Sequence, residues 1–399
     1  MTLIAQSCAL LAGAWLLAWF AARLKLPSLM GMIAAGAIMA AFPLPALDSG
    51  PVLSDVSPTV RLAVLAVVLL RAGLSVSGDD MRTAGKLAVA VGLIPMLCDG
   101  ALVALASVYL LDFPVPAAIV LGFLIAPISP AIVITGLLDL LDSLHGRARR
   151  APTALLAGAP LDNIAAVVAL GIAVDIATRG DVTWTSMLVE LPYTLAIGIA
   201  VGVATGWIFA ASARRFPGWA AHPTAVVAVW AAAGLLIWAG EQASFSFVLA
   251  IIALGATVRA MVAQAAEALG NGLRRVWNSA QYALFGLIGL AVDIDALAAV
   301  GLAAVGVIAL GQLGRATGAL LATLGSGLSG RERAACILSY MPKASIQAVF
   351  SGLALDRGLA EGEVILSTGV LAIVIATPIG LIALHHGVAS LLGARRSSG

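Results

Sequence analysis

The chain has 399 residues, of which 61% are hydrophobic and 11% charged, and its mean hydropathy is +1.07. So little polar surface cannot cover a soluble globule, which indicates an integral membrane protein with a single membrane domain over residues 1–399. The near balance of 22 Lys and Arg against 20 Asp and Glu excludes the basic footprint of a nucleic-acid-binding protein.

Continuous apolar runs of about 20 residues have the length that a helix needs to cross a bilayer, and they lack the strict alternation of barrel strands. The sequence therefore predicts an all-α polytopic membrane protein, whose first run is a retained helix rather than a cleaved signal peptide. Thirteen spans are predicted: 2–22, 27–43, 58–75, 86–111, 114–137, 151–177, 184–210, 221–240, 245–264, 276–293, 297–324, 333–355 and 362–390.

Charges in the connections predict the orientation, because Lys and Arg are retained in cytoplasmic loops. Alternate connections, beginning after the first span, carry seventeen of the 22 basic residues together with the C-terminal tail. The opposite side carries only Arg61, Arg179 and Arg357. We therefore expect the N-terminus outside and the C-terminus in the cytoplasm, in a bacterial inner (plasma) membrane.

Four ionisable residues lie deep in the predicted spans, away from the span ends: Asp99, Asp162, Arg315 and Lys343. A charge at the bilayer centre costs at least about 2.5 kcal/mol on insertion scales, so each of them needs a partner or a function. For Asp99 with Arg315 the simplest interpretation is a structural ion pair. For Lys343 two roles stay open, because it can neutralise helix ends or compete for Asp162.

An offset of 216 residues relates spans 4, 5 and 6 to spans 11, 12 and 13. It pairs Asp99, Ser129 and Asp162 with Arg315, Ser345 and Pro378. The match is positional rather than residue-identical. An odd number of spans separates each pair, so the two halves have opposite orientations, and the pattern predicts the inverted repeats found in many secondary transporters.

Two of the repeat-related spans contain prolines that predict interrupted helices. Span 5 includes LGFLIAPISPAIVITGLL, with Pro127 and Pro130 at its middle, and span 12 includes SYMPKASIQAVFSG, with Pro342 beside Lys343. Proline removes a backbone donor and clashes with the preceding turn. A simple kink is the alternative, since proline is tolerated in membrane helices. Two interruptions in equivalent spans favour a binding site between them.

Several segments resemble the cation:proton antiporters of the NHA group, which are Na+/H+ exchangers with a membrane DD motif. They are LAVVLLRAGLSVSGDDM, GFLIAPISPAIVITGLLDLL, PLDNIAAVVALG, YALFGLIGLAVDIDAL and YMPKASIQAVFSGLALDRG. The resemblance runs from about residue 60 to residue 380. It implies a homodimer in membrane lipid that exchanges Na+ or Li+ for H+ without an organic cofactor. It also implies an elevator-type mechanism, with 86–177 and 297–390 as the mobile core and 1–85 and 184–293 as the dimer scaffold.

Within the resemblance, Asp162 matches the first acid of the DD pair and Asn163 matches the second. The second acid is the one credited in the family with binding the ion and the proton, so this chain departs from the pattern. Either Asp162 has taken over the carrier role, or the exchange function is altered or lost.

The resemblance also implies roles for residues around this pair. Asp99 and Arg315 match the salt-bridging pair of the core, Lys343 matches the lysine of the PK motif, and Ser129 lies in the crossing peptide of span 5. Whether Asp162 pairs with Lys343 is not decided by the sequence.

A single carboxylate suffices for antiport if it binds either a cation or a proton, because protonation of Asp162 removes the main attraction for the cation. Na+ is a hard ion that favours oxygen ligands, by analogy with other hard cations. We expect them from the Asp162 carboxylate, the Asn163 carbonyl, the Ser129 hydroxyl and the freed backbone carbonyls of the broken helices. One Na+ exchanged for one H+ at Asp162 makes the transport electroneutral.

Other classes are less consistent with the residues. A hydrolase would need a nucleophile with a base or metal ligands, and the sequence contains no HExxH motif. Ser129 with Lys343 could be imagined as a dyad, but this is the weaker interpretation. A channel would need a continuous polar lining, which these spans lack. The serious alternative is a family relative that has lost its carrier acid and transports another solute or acts as a membrane sensor.

Overall fold

The computed structural model describes residues 2–24, 28–41, 57–75, 78–144, 146–178, 191–216, 218–243, 245–291 and 294–393. Over these ranges the chain forms helices and no strand. The predicted all-α class is therefore confirmed. Predicted span segments and loop charges at 42–56 and 179–190, and the charges of the tail at 394–399, lie outside the described ranges.

Seventeen α-helices follow one another in the described ranges. They are α1 Thr2–Arg23, α2 Ser28–Ala41, α3 Ser57–Ser75, α4 Gly78–Leu110, α5 Val115–Ile125, α6 Pro130–Ser143, α7 Arg150–Thr178, α8 Leu191–Arg215, α9 Pro223–Ala243, α10 Phe247–Met261, α11 Ala263–Leu290, α12 Ile294–Ala322, α13 Gly330–Ser339, α14 Ser345–Phe350, α15 Leu353–Asp356, α16 Gly362–Ile382 and α17 Ala389–Leu392. A π-helical segment, Ala383–Val388, joins the last two.

Seven helical segments in the part of the chain that is described are long and apolar enough to cross a bilayer, by length and composition. They lie in α1, α4, α7, α8, α9, α12 and the run from α16 to α17. Four shorter apolar helices accompany them: Ser28–Ala41, Val115–Ile125, Phe247–Met261 and Ile346–Asp356. The count of thirteen spans stays a prediction.

Helix α11 begins at Ala263, before the predicted span 276–293, so the helix extends beyond the apolar run that the sequence marks. Its first half buries Ala265, Ala266, Leu269 and Leu273, which are three or four residues apart and share one helix face. Arg274 and Arg275 lie in the same stretch. A hydropathy window averages the two faces, so it misses an amphipathic helix that precedes the apolar one.

The two proline-bearing spans are interrupted rather than kinked. Helix α5 ends at Ile125 and α6 begins at Pro130, while α13 ends at Ser339 and α14 begins at Ser345. The two interruptions lie side by side, because the backbone N–H of Ser129 donates to the carbonyl of Pro342 at 2.9 Å. We call residues 126–129 the first break and residues 340–344 the second break.

Helices α4 and α12 approach closely where three glycines of α12 face α4. A Cβ at Gly314 would lie 2.6 Å from the Cys98 carbonyl, and one at Gly318 would lie 2.6 Å from Pro95 Cα. Small residues at such contacts let two membrane helices pack backbone to backbone. The third glycine, Gly311, faces Asp99, and the contact brings Arg315 of α12 opposite that carboxylate.

The close contact predicts that Gly311→Ala displaces Asp99. The new Cβ would lie 2.8 Å from Asp99 Oδ1 and 2.5 Å from Val103 Cγ2, so one of them must move. Overpacking of this kind costs about 1 to 3 kcal/mol. We expect a lower midpoint of thermal unfolding for the detergent-solubilised variant. Gly301→Ala in the same helix is the control, because nothing lies within 4 Å of a Cβ there. Equal midpoints for the two variants would contradict the packing.

Candidate functional site

The four ionisable residues that the sequence places inside spans meet at one point. Asp99 comes from α4, Asp162 from α7 and Arg315 from α12, and Lys343 lies in the second break. Their side chains are 0%, 0%, 1% and 1% exposed in that order. Two carboxylates and two cations therefore share one site that is shielded from solvent.

Arg315 connects the site. Its Nε donates to Asp99 Oδ2 at 2.8 Å, and its Nη1 and Nη2 each lie 3.2 Å from Asp162 Oδ2. Nη2 also donates to the carbonyl of Ala126 in the first break. The guanidinium fork thus joins both carboxylates to the end of α5, which a single-point ammonium could not do.

Lys343 pairs with Asp99 and not with Asp162. Its ammonium contacts Asp99 Oδ2 and donates to the Ala126 carbonyl at 2.6 Å. Asp99 Oδ2 therefore accepts from both cations, whereas within the described residues Asp162 forms its ion pair with Arg315 alone. This resolves the pairing of Lys343, which the sequence leaves undecided.

Asp162 is held by the first break as well as by Arg315. Its Oδ1 accepts the backbone N–H of Ile128 at 3.1 Å. The neighbouring Asn163 donates from Nδ2 to the Ala159 carbonyl one helical turn earlier, at 3.0 Å. Its carbonyl oxygen, in contrast, is buried without a hydrogen-bond partner among the described residues. An amide at this position thus presents an unused acceptor beside the carboxylate.

Ser129 lies at the N-cap of α6 and is buried. Its side chain does not cap the helix, while its backbone N–H bonds to the second break. Pro127 lies in the first break, Pro130 is the first residue of α6, and Pro342 lies in the second break. The residues expected from the sequence at the breaks are therefore brought next to the buried charges.

The carbonyls of residues 125–127 all accept hydrogen bonds from protein side chains. Gln347 Nε2 donates to the first at 3.1 Å and to the third at 2.6 Å, and Arg315 and Lys343 donate to the middle one. These carbonyls lost their helical donors where α5 ends, and a buried carbonyl must find another partner.

The second break is closed in the same way over residues 341–343. Gln312 Nε2 donates to the first carbonyl at 2.9 Å, the Ser129 N–H donates to the second, and the hydroxyl of Thr377 donates to the third. All six carbonyls therefore accept hydrogen bonds within the protein, five from side chains and one from the Ser129 N–H. Ligation of a cation by freed backbone carbonyls stays a prediction.

Sequence reasoning missed four polar residues that donate to backbone carbonyls around the site: Gln312, Tyr340, Gln347 and Thr377. The Tyr340 hydroxyl donates to the Leu155 carbonyl at 2.7 Å, and the Arg315 guanidinium lies 6.0 Å from its ring centre. Each of the four is a polar residue in an apolar run, and this is the sequence feature that could have identified it. Their acceptors are backbone carbonyls, which the sequence does not distinguish from one another.

Among the residues whose placement is described, no group of three or more His, Cys, Asp or Glu side chains is arranged to hold a metal ion. Lys343 Nζ bonds to Asp99 and to the Ala126 carbonyl.

Membrane-length helices around buried charges, with two helices interrupted beside them, are typical of secondary ion transporters. A family model described as "Sodium/hydrogen exchanger, transmembrane" matches residues 9–386. The chain therefore belongs to the sodium/hydrogen exchanger family, which is a family of transporters. The resemblance inferred from its motifs is confirmed.

Two curated relatives illustrate the match. Sodium/hydrogen exchanger 9B2 of Homo sapiens is 27% identical over 376 residues, which covers 89% of this chain and 68% of that protein. Sodium/hydrogen exchanger 9B1 of Homo sapiens is 25% identical over 375 residues, which covers 89% of this chain and 70% of that protein.

The fold is similar to solved structures of the sodium proton antiporter MjNhaP1 from Methanocaldococcus jannaschii. The structure at pH 8 has a TM-score of 0.78 at 17% identity and covers 98% of this chain and 100% of that chain. A structure from electron microscopy has a TM-score of 0.68 at 16% identity. This chain is thus an integral membrane protein with an antiporter fold.

The shared site predicts that stability depends on charge balance. Lys343→Met leaves two buried carboxylates with one cation, and breaking a buried pair on one side costs about 3 to 5 kcal/mol. We expect a clear drop in the midpoint of thermal unfolding at neutral pH. Combining it with Asp99→Asn removes the surplus negative charge, so much of the loss should be recovered.

The control for this prediction is the exposed pair Arg259–Glu267, whose N···O distance is 3.2 Å. Glu267→Gln should change stability by about 1 kcal/mol or less, because exposed pairs contribute little. If the double variant were less stable than Lys343→Met alone, the charge-balance argument would fail.

Proposed function

We propose that the protein exchanges Na+ or Li+ for H+ across the membrane, with Asp162 as the shared site of the cation and the proton. The family and the antiporter fold support cation/proton antiport. The observation that carries the finer proposal is the position of Asp162, a buried carboxylate beside both helix breaks and beside the unused oxygen of Asn163. No organic cofactor is required.

The charge of the site supports one-for-one exchange. Asp99, Asp162, Arg315 and Lys343 sum to zero when all four are ionised. Adding Na+ to ionised Asp162 gives a net charge of plus one, and protonating Asp162 instead gives the same net charge. Both loaded forms thus carry equal charge across the membrane, and the exchange is electroneutral.

The proposed ligands of the cation are side-chain oxygens. Arg315 already contacts Asp162 Oδ2, so a cation must displace this guanidinium, while Asn163 offers an oxygen without a donor. The Ser129 hydroxyl stays in the proposed set. Because the six carbonyls at the breaks already accept hydrogen bonds, side-chain oxygens are the proposed ligands, and Asn163 contributes a neutral amide oxygen where the DD motif has its second carboxylate.

Alternating access by an elevator movement is the proposed transport mechanism, with 86–177 and 297–390 as the mobile core and 1–85 and 184–293 as the scaffold. Two ion pairs join these proposed bodies at one end of the molecule. Arg61 in α3 lies 3.5 Å from Asp356, and Arg357 lies 3.7 Å from Glu241 in α9. Arg357 also lies over the ring of Phe247 at 5.3 Å.

The same contacts support the proposed orientation, with the N-terminus outside and the C-terminus cytoplasmic. Both ion pairs join residues that the loop charges assign to the outer side. The Arg214 side chain donates to the Met261 carbonyl at 2.9 Å, and both of these lie on the side assigned to the cytoplasm.

Homodimerisation in membrane lipid is also part of the proposal. Large aromatic side chains are exposed on helices distant from the buried charges: Trp15, Trp19, Trp207 and Trp238. A surface of this kind fits lipid chains or a second copy.

The decisive test is transport in vesicles with an imposed pH gradient, to which Na+, Li+ or K+ is added in turn. We expect proton movement with Na+ or Li+ for the natural chain and none above protein-free vesicles for Asp162→Asn. Glu267→Gln, which removes an exposed acid outside the site, should leave exchange intact. An unaffected Asp162→Asn variant would overturn the shared site.

Variants of Asn163 distinguish the proposed antiporter from the alternative, a family relative that has lost its carrier acid. Asn163→Ala should raise the Na+ concentration for half-maximal exchange about tenfold, because it removes one ligand oxygen. If the natural chain exchanged no cation and Asn163→Asp did, the alternative would be favoured.

The outer ion pairs should bias the conformation. In the proposed mechanism these pairs hold the two bodies together at the outer end, so the charge-neutral variants Asp356→Asn and Glu241→Gln should raise the labelling rate of a cysteine placed near it from the outer solution. Glu267→Gln is the matched control, since its pair with Arg259 lies within the proposed scaffold. Equal labelling in all three variants would show that these pairs do not hold the outer end closed.

A further inference from the structure

Gln347 has no assigned role, although its side chain is fully buried at 0% exposure in the first turn of α14. Its Nε2 donates to the carbonyls of Ile125 and Pro127 in or next to the first break, at 3.1 and 2.6 Å. Because both neighbours are carbonyl oxygens, the amide must present its nitrogen to them. Its own carbonyl oxygen has no partner among the described residues, so its donors are what hold the side chain in place.

The contact with Pro127 reaches Asp162 through one peptide bond. The carbonyl of Pro127 and the N–H of Ile128 belong to the same peptide unit, which is planar, so fixing one group fixes the direction of the other. Gln347 holds the carbonyl side, and the N–H side donates to Asp162 Oδ1 at 3.1 Å. The orientation of the Asp162 carboxylate thus depends on a residue that does not touch it.

We propose that Gln347 is a positioning residue that orients the Asp162 carboxylate through the Pro127–Ile128 peptide unit. This inference rests on the proposed function of Asp162 for its effect on transport. With Oδ1 tied to the break, Oδ2 is the oxygen that changes partners between Arg315 and the transported cation. Gln347 belongs to the opposite half of the chain from Asp162, so the two halves set the geometry of the site together.

Gln312 provides a control of the same residue type. Its Nε2 also donates to a carbonyl of a break, that of Met341, at 2.9 Å, and its own oxygen is likewise buried without a partner among the described residues. The Met341 carbonyl, however, shares its peptide unit with the nitrogen of Pro342, which carries no hydrogen. Gln312 thus donates to a break carbonyl as Gln347 does, but the peptide unit that it holds has no N–H to donate to Asp162.

The experiment compares Gln347→Met with Gln312→Met, since methionine has similar length and no donor. In vesicles we expect the Michaelis constant for Na+ to rise about 10- to 100-fold in the first variant, the loss expected for a hydrogen bond to a charged group. The maximal rate should change much less. Gln312→Met should leave the Michaelis constant close to that of the natural chain. A merely structural role would instead lower the folded amount and the maximal rate of both variants alike.

A second measurement does not depend on transport. Hydrogen exchange of the Ile128 amide should be faster in Gln347→Met than in the natural chain and unchanged in Gln312→Met. Gln347→Asn keeps the amide but is too short to reach both carbonyls, so its Ile128 exchange rate should lie between those of the natural chain and Gln347→Met. This variant replaces Gln347→Met in the comparison if the methionine variant does not fold. Unchanged Ile128 exchange would overturn the positioning role. Faster exchange in a chain that transports no Na+ or Li+ would retain the positioning role and reject the proposed function.

Discussion

The guanidinium of Arg315 is the group on which the arrangement of the buried site depends. It contacts Asp99, Asp162 and the Ala126 carbonyl, and so joins α4, α7 and the first break to its own helix. Burying an arginine in a membrane is costly unless its donors are paired. Asp99, Asp162 and Lys343 are tolerated for the same reason, because each finds an opposite charge within the group. None of the four could be buried here alone.

This dependence explains why the two helix breaks interlock. An interrupted helix exposes carbonyls without donors, and hydrocarbon offers none. The first break receives donors from Arg315, Lys343 and Gln347, and the second receives them from Gln312, Ser129 and Thr377. The first break is completed by side chains from the second half of the chain, whereas the second break receives one donor, the Ser129 N–H, from the first half and two donors from its own half. The breaks therefore form one polar unit. Because its carbonyls already accept hydrogen bonds, the proposed cation ligands are side-chain oxygens.

Close backbone packing allows this unit to form. Glycines let α12 lie against α4, and another row, Gly198, Gly202 and Gly206, lets α8 approach the backbone of α10. The fold matches that of MjNhaP1 at 17% identity. Small residues at these contacts let the helices pack backbone to backbone.

Much of the architecture could be read from the sequence, because hydropathy, proline position and the cost of buried charge act locally. The apolar runs, the interruptions at Pro127 and Pro342 and the set Asp99, Asp162, Arg315 and Lys343 all follow from such rules. The amphipathic start of α11 does not follow from these rules, because its polar face lowers the average hydropathy of the segment.

The tertiary structure alone decided the partners. The sequence leaves open whether Lys343 pairs with Asp162, and it suggests that the break carbonyls are free, whereas the structure pairs Lys343 with Asp99 and fills those carbonyls with side-chain donors. Ion pairs and side-chain hydrogen bonds join residues up to 244 positions apart in the chain. Local propensity determines that such groups are buried. Which of them meet is determined only when the helices pack.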